Sequence, residues 1–538
     1  MVGTRAPRVS FVALSLAVAA VVPAVADVPE PNAQTVIVPL PPESCAILDD
    51  PQAVARMDGL LFNLAWSCDR TDLLGQVESE FFAGAAPAGE ESFPDTQVNQ
   101  LGETGSSTTQ SETSIAENED NGTLCSGYND SCEFFCPGGG GGFTGFSRST
   151  DGGETWDDRG AVGANTFGDP SVIWRRIDGK FYFATLGSGG SLRMSRSDDD
   201  CLTFTEISTP ATGGDDKELI TVDNNALSPN YGNIYLLWTD FGVGGNIVAK
   251  RSTDGGVNWS AQTTVGTGIV QGAWPFVAPN GDVYVAWLLL SAFPNGNVTI
   301  KVARSTDAGL SYGAVTDVVT GVTGPRNAAA TATCFRDALN GNIRYLASPQ
   351  LSITDDGVLH VVYSYDPDGF NVGDVVDVFY KRSINNGSTW STEMRLSTDA
   401  TTTDQYFPAI HTDGTKLITG WYSRENDTAN NLLQDYYIRT SPDGGATWND
   451  PVRVSDVSSP IQLDPNLATC YHGDYDQALM SAMGSPVAQW ADDRNLVDTS
   501  PVGMRNDPDV FSDGTSGGAL FQDGFESGDT SRWDQTAQ

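Results

Sequence analysis

Short runs that alternate apolar and polar residues recur along most of the chain and end at one kind of corner. FTGFSRS (143–149), IVAKRS (247–252) and VFYKRS (378–383) have the two-residue period of half-buried strands. Further strand-like runs stand upstream: LCSGYND (124–130), KFYFATL (180–186), NIYLLWTD (233–240), DVYVAWLL (282–289), VLHVVYSYD (358–366) and KLITGWYSR (416–424). One segment has helical spacing instead. Asp50 precedes Pro51 and apolar Val54, Met57, Leu61, Leu64 and Ala65, which predicts one capped amphipathic helix.

Six eight-residue windows form the corners: STDGGETW (149–156), SDDDCLTF (197–204), STDGGVNW (252–259), STDAGLSY (305–312), SINNGSTW (383–390) and SPDGGATW (441–448). All fit S-x-D-x-G-x-T-aromatic with at most one departure, and their starts lie 48, 55, 53, 78 and 58 residues apart. The template reads as a tight hairpin turn. Ser149 and Asp151 supply oxygens for backbone N–H groups, Gly153 takes a positive φ, and Trp156 caps the layer beneath. Asp199, Asp254 with Trp259, Asp307, Asn385 with Trp390, and Asp443 with Trp448 repeat these parts, so the aspartates are structural.

Three strands, the corner and a fourth strand make one unit. Such units at this spacing predict an all-β propeller of four-stranded antiparallel blades, because radial stacking buries both faces of each sheet. A seventh unit, GDYDQALMSA (473–482), SPVAQWADDR (485–494) and DPDVFSD (507–513), lacks the corner and brings three strands. Seven blades are expected, with six as the alternative, and AQTVIVPL (33–40) is the expected donor of the closing strand. The chain then divides into a signal peptide (1–26), a short helical N-terminal extension with a linker (27–108), the propeller (109–513) and a tail (514–538). The insertion from Val319 to Arg344 produces the longest spacing and is expected to overhang a binding face.

Arg5 and Arg8 before the apolar run Val9–Val22, followed by Ala24-Val25-Ala26, predict cleavage before Asp27 and a secreted, extracellular product. Export makes the eight cysteines candidates for disulfides. Cys45 with Cys68 across the short helix is the expected pair. Cys125, Cys132 and Cys136 around GGGGG allow a metal knuckle or, as the commoner fate outside the cell, disulfides. A formal net charge of −40 argues against nucleic acid as a partner. No stretch suggests membrane insertion, a monomer is expected, and three histidines leave little room for a zinc centre. No cofactor is required by the pattern, although the acidic loops suit a structural Ca²⁺.

The six windows resemble the Asp-box or BNR repeat of the sialidase (neuraminidase) superfamily, over residues 110 to 455. DDKELITVD (215–223) and HGDYDQA (472–478) are similar to segments of secreted bacterial sialidase-like proteins, and FQDGFESGDTSRW (521–533) resembles a tail of exported bacterial proteins. The resemblance implies a propeller that acts on or recognises extracellular glycans, as an exo-glycosidase or as a non-catalytic glycan- or protein-binding module. Sialidases carry an early Arg-Ile-Pro motif, three carboxylate-binding arginines, a Tyr nucleophile with a Glu partner, and an Asp acid/base. The corresponding first-blade stretch here, SETSIAEN (111–118), has no such arginine.

If the corners mark one face, the opposite face gathers the starts of first strands and the ends of second strands. The starts bring Glu112, Asp169, Asp216, Lys217, Glu218, Trp274, Tyr406, His472, Asp474 and Tyr475; the ends bring Asp130, Asp240, Asp366, Arg424, Glu425, Asp492, Asp493 and Arg494. Arg424 and Arg494 fall at matching places in adjacent units, where two guanidiniums could clamp a carboxylate. By analogy with Tyr-dependent retaining glycosidases, Tyr406 or Tyr475 is then the candidate nucleophile, assisted by Glu425, with Asp474 or Asp240 as proton donor. The structural alternative pairs the arginines with Asp492, Asp493 and Glu425 in rim ion networks. His472 is either a proton relay at the channel mouth or a hydrogen-bond partner of the next blade.

Overall fold

Each corner folds as the same hydrogen-bonded knot. In the computed structural model, Ser149 Oγ donates to Asp151 Oδ1 (2.8 Å) and accepts the Gly153 amide (3.0 Å). Asp151 in turn accepts the Thr155 amide (3.0 Å) and hydroxyl (2.5 Å). The pattern repeats at Asp199, Asp254, Asp307, Asn385 and Asp443. The glycine position is left-handed throughout, with φ from 70° at Gly445 to 98° at Gly153. In the second corner Cys201 occupies it at φ 63°, held by a disulfide to Cys125. The structure describes residues 39–40, 42–57, 59–74, 95–99, 108–313, 315–325, 327–369, 376–464, 467–498 and 504–514. The expected signal peptide and nearly all of the C-terminal tail lie outside these.

The strands form seven four-stranded antiparallel sheets. Blade 1 runs Gln110–Asn118, Thr123–Asp130, Thr144–Ser149 and Asp157–Ala161; blade 2 Ser171–Arg175, Lys180–Gly187, Ser191–Ser197 and Thr205–Ala211. Blade 3 is Asp215–Val222, Ile234–Asp240, Asn246–Ser252 and Thr263–Gly266; blade 4 is Ile269–Val277, Val283–Leu290, Val298–Ser305 and Thr316–Val322. Blade 5 is Gln350–Ile353, Leu359–Tyr365, Asp377–Ser383 and Met394–Arg395; blade 6 is Gln405–Asp413, Lys416–Ser423, Asp435–Ser441 and Val452–Arg453. Blade 7 contributes Ala478–Met480, Pro486–Asp498 and Met504–Gly514.

Its fourth strand comes from the N-terminal side, as expected, but from a different segment. Thr96 and Gln97 pair with Ser512 and Phe511, so part of the stretch read as linker closes the ring. Thr96–Gln97, and not AQTVIVPL, fills the closing position; most of AQTVIVPL falls outside the described residues. Neighbouring blades are also latched near the axis. A side chain on one first strand accepts a backbone N–H from the next: Ser114 from Val172, Ser171 from Ile220 and Gln350 from Ile410; across the closure Gln477, just before the first strand of blade 7, accepts from Ile115. These bonds satisfy amides that the sheets leave unpaired.

The N-terminal extension lies over the face opposite the corners. Leu60 N–H donates to Asp216, Asn63 bridges Gly187 and Gly189, and Arg56 reaches the Val270 carbonyl while stacking on Phe241. The expected single helix is two short ones, Pro51–Val54 and Gly59–Ser67, with the Asp50 side chain capping the first through the Gln52 amide. The insertion forms a helix (Ala328–Cys334) and a small hairpin (Ala338–Leu339 with Ile343–Arg344). It is pinned over the same face by the Cys334–Cys470 disulfide and by the Arg344 amide donating to the Cys470 carbonyl. All eight cysteines pair: Cys45–Cys68 as expected, Cys125–Cys201, Cys132–Cys136 and Cys334–Cys470. A metal knuckle at Cys125, Cys132 and Cys136 is thereby replaced by disulfides, as suits an oxidising compartment. Among the described residues no helix is long and apolar enough to cross a membrane.

Candidate functional site

First strands converge on the axis and bulge there. Register shifts fall between Ser111 and Ser114, Asp216 and Leu219, Gln271 and Trp274, and Tyr406 and Ala409. At these bulges Glu112 (φ 56°), Lys217 (51°), Gly272 (68°) and Phe407 (48°) are left-handed, as is Asp169 (52°) just before blade 2. A bulge re-aims side chains, and strain repeated at equivalent non-glycine positions marks the end of the axis where the fold places unusual groups.

Those groups form a buried charged network. Lys217 Nζ lies 3.1 Å from Asp474 and 3.7 Å from Glu112, and 5.1 Å from the Tyr475 ring centroid. Arg344 Nη2 donates to Asp474 (2.8 Å), and its guanidinium lies over Tyr471, 4.6 Å from the centroid. Asn129 Nδ2 donates to Glu112 (2.9 Å) and to the Tyr471 hydroxyl (2.6 Å), and the Asp474 amide donates to Glu112 (3.0 Å). Burial, together with Glu112 and Asp169, pushes the Tyr475 phenol well above its ordinary range; burial and Glu112 do the same to Tyr471. Burial first and Asp169 second also raise Glu218, whose carboxylate oxygens have no hydrogen-bond partner among the described residues.

Above this network is a cleft of about 1280 Å³. The N-terminal helices wall one side, the insertion helix and Ala468–Thr469 another, and Phe293–Asn295 a third. Its charged lining is Arg70, Arg336 and Arg344 against Asp49 and Asp72, an excess of one cation in a chain carrying −40; Arg70 pairs with both aspartates and is the most exposed of the three arginines, Arg336 and Arg344 being buried. The channel mouth on the corner side, of about 620 Å³, has the opposite character: Glu117, Glu119, Asp223, Asp355 and Asp413 against Arg176. Crowding shows there, since burial and then Glu119 raise both the Glu117 and Asp413 carboxyls, helped on Glu117 by Asp413 and on Asp413 by Asp355.

Of the residues singled out from sequence, Asp474 and Tyr475 sit in the axial network. Tyr406 and Arg424 lie together elsewhere on the same face, fully buried. Arg424 pairs with Asp404 (2.9 Å), donates to the Asn340 and Asn431 carbonyls, and stacks on Tyr406. Tyr406 donates to Gln434, and burial pushes its phenol up to about 12. Arg494 is held by Asp492 (2.5 Å) and Asp95 (2.6 Å) and lies on Phe511. The expected clamp of one carboxylate by Arg424 and Arg494 therefore gives way to separate ion pairs, the structural alternative, though with Asp404 and Asp95 among the partners. Glu425 accepts from Ser423 (3.1 Å), and burial raises its carboxyl. Asp240 caps the turn at Val243 and accepts from Gln262 (2.8 Å), away from the axis.

His472 faces both oxygens of Asp493 (3.1 and 3.0 Å); burial opposes its charge, but the Asp493 carboxylate outweighs this and raises its pKa. Arg344 and Tyr471 received no role from sequence. Arg344 ends the insertion, and the insertion's length was the one signal that could have drawn attention to it. Among the described residues, no group of three or more His, Cys, Asp or Glu side chains is arranged to hold a metal ion.

No protein-family model and no curated protein matches the chain. Solved structures similar to it include the GH93 α-L-arabinofuranosidase of Fusarium graminearum in complex with arabinobiose, at 10% identity and TM-score 0.37, covering 64% of this chain and 92% of that one. The α-L-arabinanase of Penicillium chrysogenum complexed with arabinobiose gives 12% and 0.38, covering 78% and 98%. A PL25 ulvan lyase bound to a GlcA–Rha3S saccharide gives 13% and 0.40, covering 76% and 95%. By its own sheet topology the chain is a seven-bladed β-propeller.

Proposed function

We propose that this chain is an extracellular glycan-recognising propeller whose site is the cleft between the N-terminal helices and the insertion, and that its ligand is an acidic saccharide. One observation carries the reading: the cleft is the positive mouth of a strongly negative molecule, whereas the opposite mouth is lined mainly by carboxylates. Arginines in a cleft lining favour anions, and the partly exposed Arg70 supplies a planar donor matched to a carboxylate. Its mix of apolar wall and few charged groups suits a sugar chain end.

Binding accounts for this arrangement better than Tyr-dependent cleavage. Tyr471 and Tyr475 are held as neutral phenols, and Asp474 and Glu112 are committed to Lys217 and to Arg344, whose guanidinium reaches from the cleft lining to Asp474. Sialidase-like hydrolysis is the second reading, favoured by the presence of Tyr475, Asp474 and Glu112 in one network. Titration calorimetry with tetragalacturonate and 3′-sialyllactose as acidic probes and lactose as the neutral control tests the proposal. The expected result is binding of an acidic probe that weakens in Arg70→Gln and is lost in Arg344→Gln, without release of sugar. Preference for lactose, or binding indifferent to both substitutions, overturns it; release of sugar establishes the second reading.

A further inference from the structure

Phe335 is the one Phe, Tyr or Trp among the described residues whose side chain is mostly exposed, at 64%, and it stands in the wall of the cleft. Every other described aromatic is buried or half-buried. The exposure is imposed by the backbone. Phe335 ends the helix Ala328–Cys334 in the left-handed conformation, φ 57° and ψ 18°, which is costly for a bulky side chain. Its neighbours are both sunk, Cys334 at 3% and Arg336 at 4% exposure, and Cys334 is bonded to Cys470. A ring held outward between two buried residues, one of them in a disulfide, is presented rather than left over.

Resting on the cleft reading above, we infer that Phe335 is a specificity-determining platform on which the apolar face of a pyranose ring stacks while the sugar's carboxylate turns towards Arg70, the arginine of the cleft lining that is not buried. The chemistry divides between the two walls. An aromatic face removes the C–H side of the sugar from water, and the Arg70 guanidinium takes its anionic edge. Neither contact alone distinguishes a sugar acid from a simple anion or from a neutral sugar; the two together do.

The experiment is calorimetric titration of the full chain with tetragalacturonate and 3′-sialyllactose, using acetate as an anion without a sugar face. Phe335→Ala should weaken binding of whichever saccharide the wild type takes by about tenfold or more, and leave the melting temperature unchanged. Phe335→Trp should bind within about threefold of wild type and show a change in indole emission on saturation with saccharide that acetate does not produce. Retention of wild-type affinity in Phe335→Ala, or a Phe335→Trp protein whose added indole emission is blind to bound saccharide, overturns this inference while leaving the cleft reading intact. Failure of the wild type to bind either saccharide overturns the cleft reading and this inference with it.

Discussion

Replacing Lys217 by Met tests the axial network at its centre. The ammonium is 3% exposed and serves two carboxylates, at 3.1 Å from Asp474 and 3.7 Å from Glu112. With an effective dielectric near 20, those separations correspond to gross attractions of about 5 and about 4 kcal/mol, much of which is offset by the cost of burying the charges. Removing one member of a buried pair typically costs about 3–5 kcal/mol because its partner stays buried and charged. Here Arg344 still holds Asp474 at 2.8 Å, so the lower end applies, about 3 kcal/mol. Met keeps the volume and carries the same backbone penalty at φ 51°, so the change isolates the charge. The assay is urea unfolding followed by Trp fluorescence. Adding Glu112→Gln to the variant should recover part of the loss, since it removes one stranded carboxylate. A Lys217→Met protein within about 1 kcal/mol of wild type, or a Glu112→Gln addition that lowers stability by a further full increment, would refute the reasoning.

Further outcomes follow from the same structure. Burial raises Asp95, Asp215 and Asp513 to about 7 and Asp476 to about 6, so their protonated forms favour the fold: stability they contribute is complete below the unfolded pKa, near 4, and declines as pH rises towards 7. The corner aspartates act oppositely. Burial pushes Asp151 and Asp254 up, but hydrogen bonds from their corners outweigh it and hold them below the ordinary value, so their contribution is lost as pH falls below about 4. Melting temperature should therefore be higher at pH 5 than at pH 8 and fall again below pH 4; a steady rise to pH 8 contradicts this. Loss of the Cys125–Cys201 bond, which spans 76 residues, should cost up to about 4 kcal/mol in denaturant. With Cys125 replaced by Ala, Cys201→Gly should be more stable than Cys201→Ala by about 1 kcal/mol, because φ at this position is 63°; equal stability of the two would show that the corner is not strained. Asp443→Asn should melt close to wild type, since Asn385 forms the same corner with a threonine at the same place, whereas Asp443→Ala should melt lower; equal melting of the two removes the corner's structural role.

The ring was legible because its information is local and repeated. Six corners with fixed Ser, Asp and Gly positions specify hairpins that identify the blades, and the alternation before each fixes which residues face the neighbouring sheet. The seventh blade could be placed without its corner by the same alternation. The pattern places the closing strand too early in the chain because Thr96–Gln97 is a two-residue pairing with no apolar alternation, set by Ser512 and Phe511 across the gap. The face was legible from strand direction alone; the partners on it were not. Arg424 and Arg494 look equivalent in sequence, yet each is captured by a carboxylate from another segment, Asp404 and Asp95 respectively. Arg344 and Tyr471 meet only because a disulfide draws the insertion onto the chain leading into blade 7. Pairing across 136 residues leaves no periodic trace.

Hydrogen exchange with tetragalacturonate bound tests most directly whether the positive cleft is the site. Protection confined to Leu48–Leu73, Thr331–Arg344 and the segment around Ala468–Tyr475 is the predicted result. Protection centred instead on Glu117–Glu119, Ile173–Arg176 and His411–Gly414, the acidic mouth on the corner side, would contradict it.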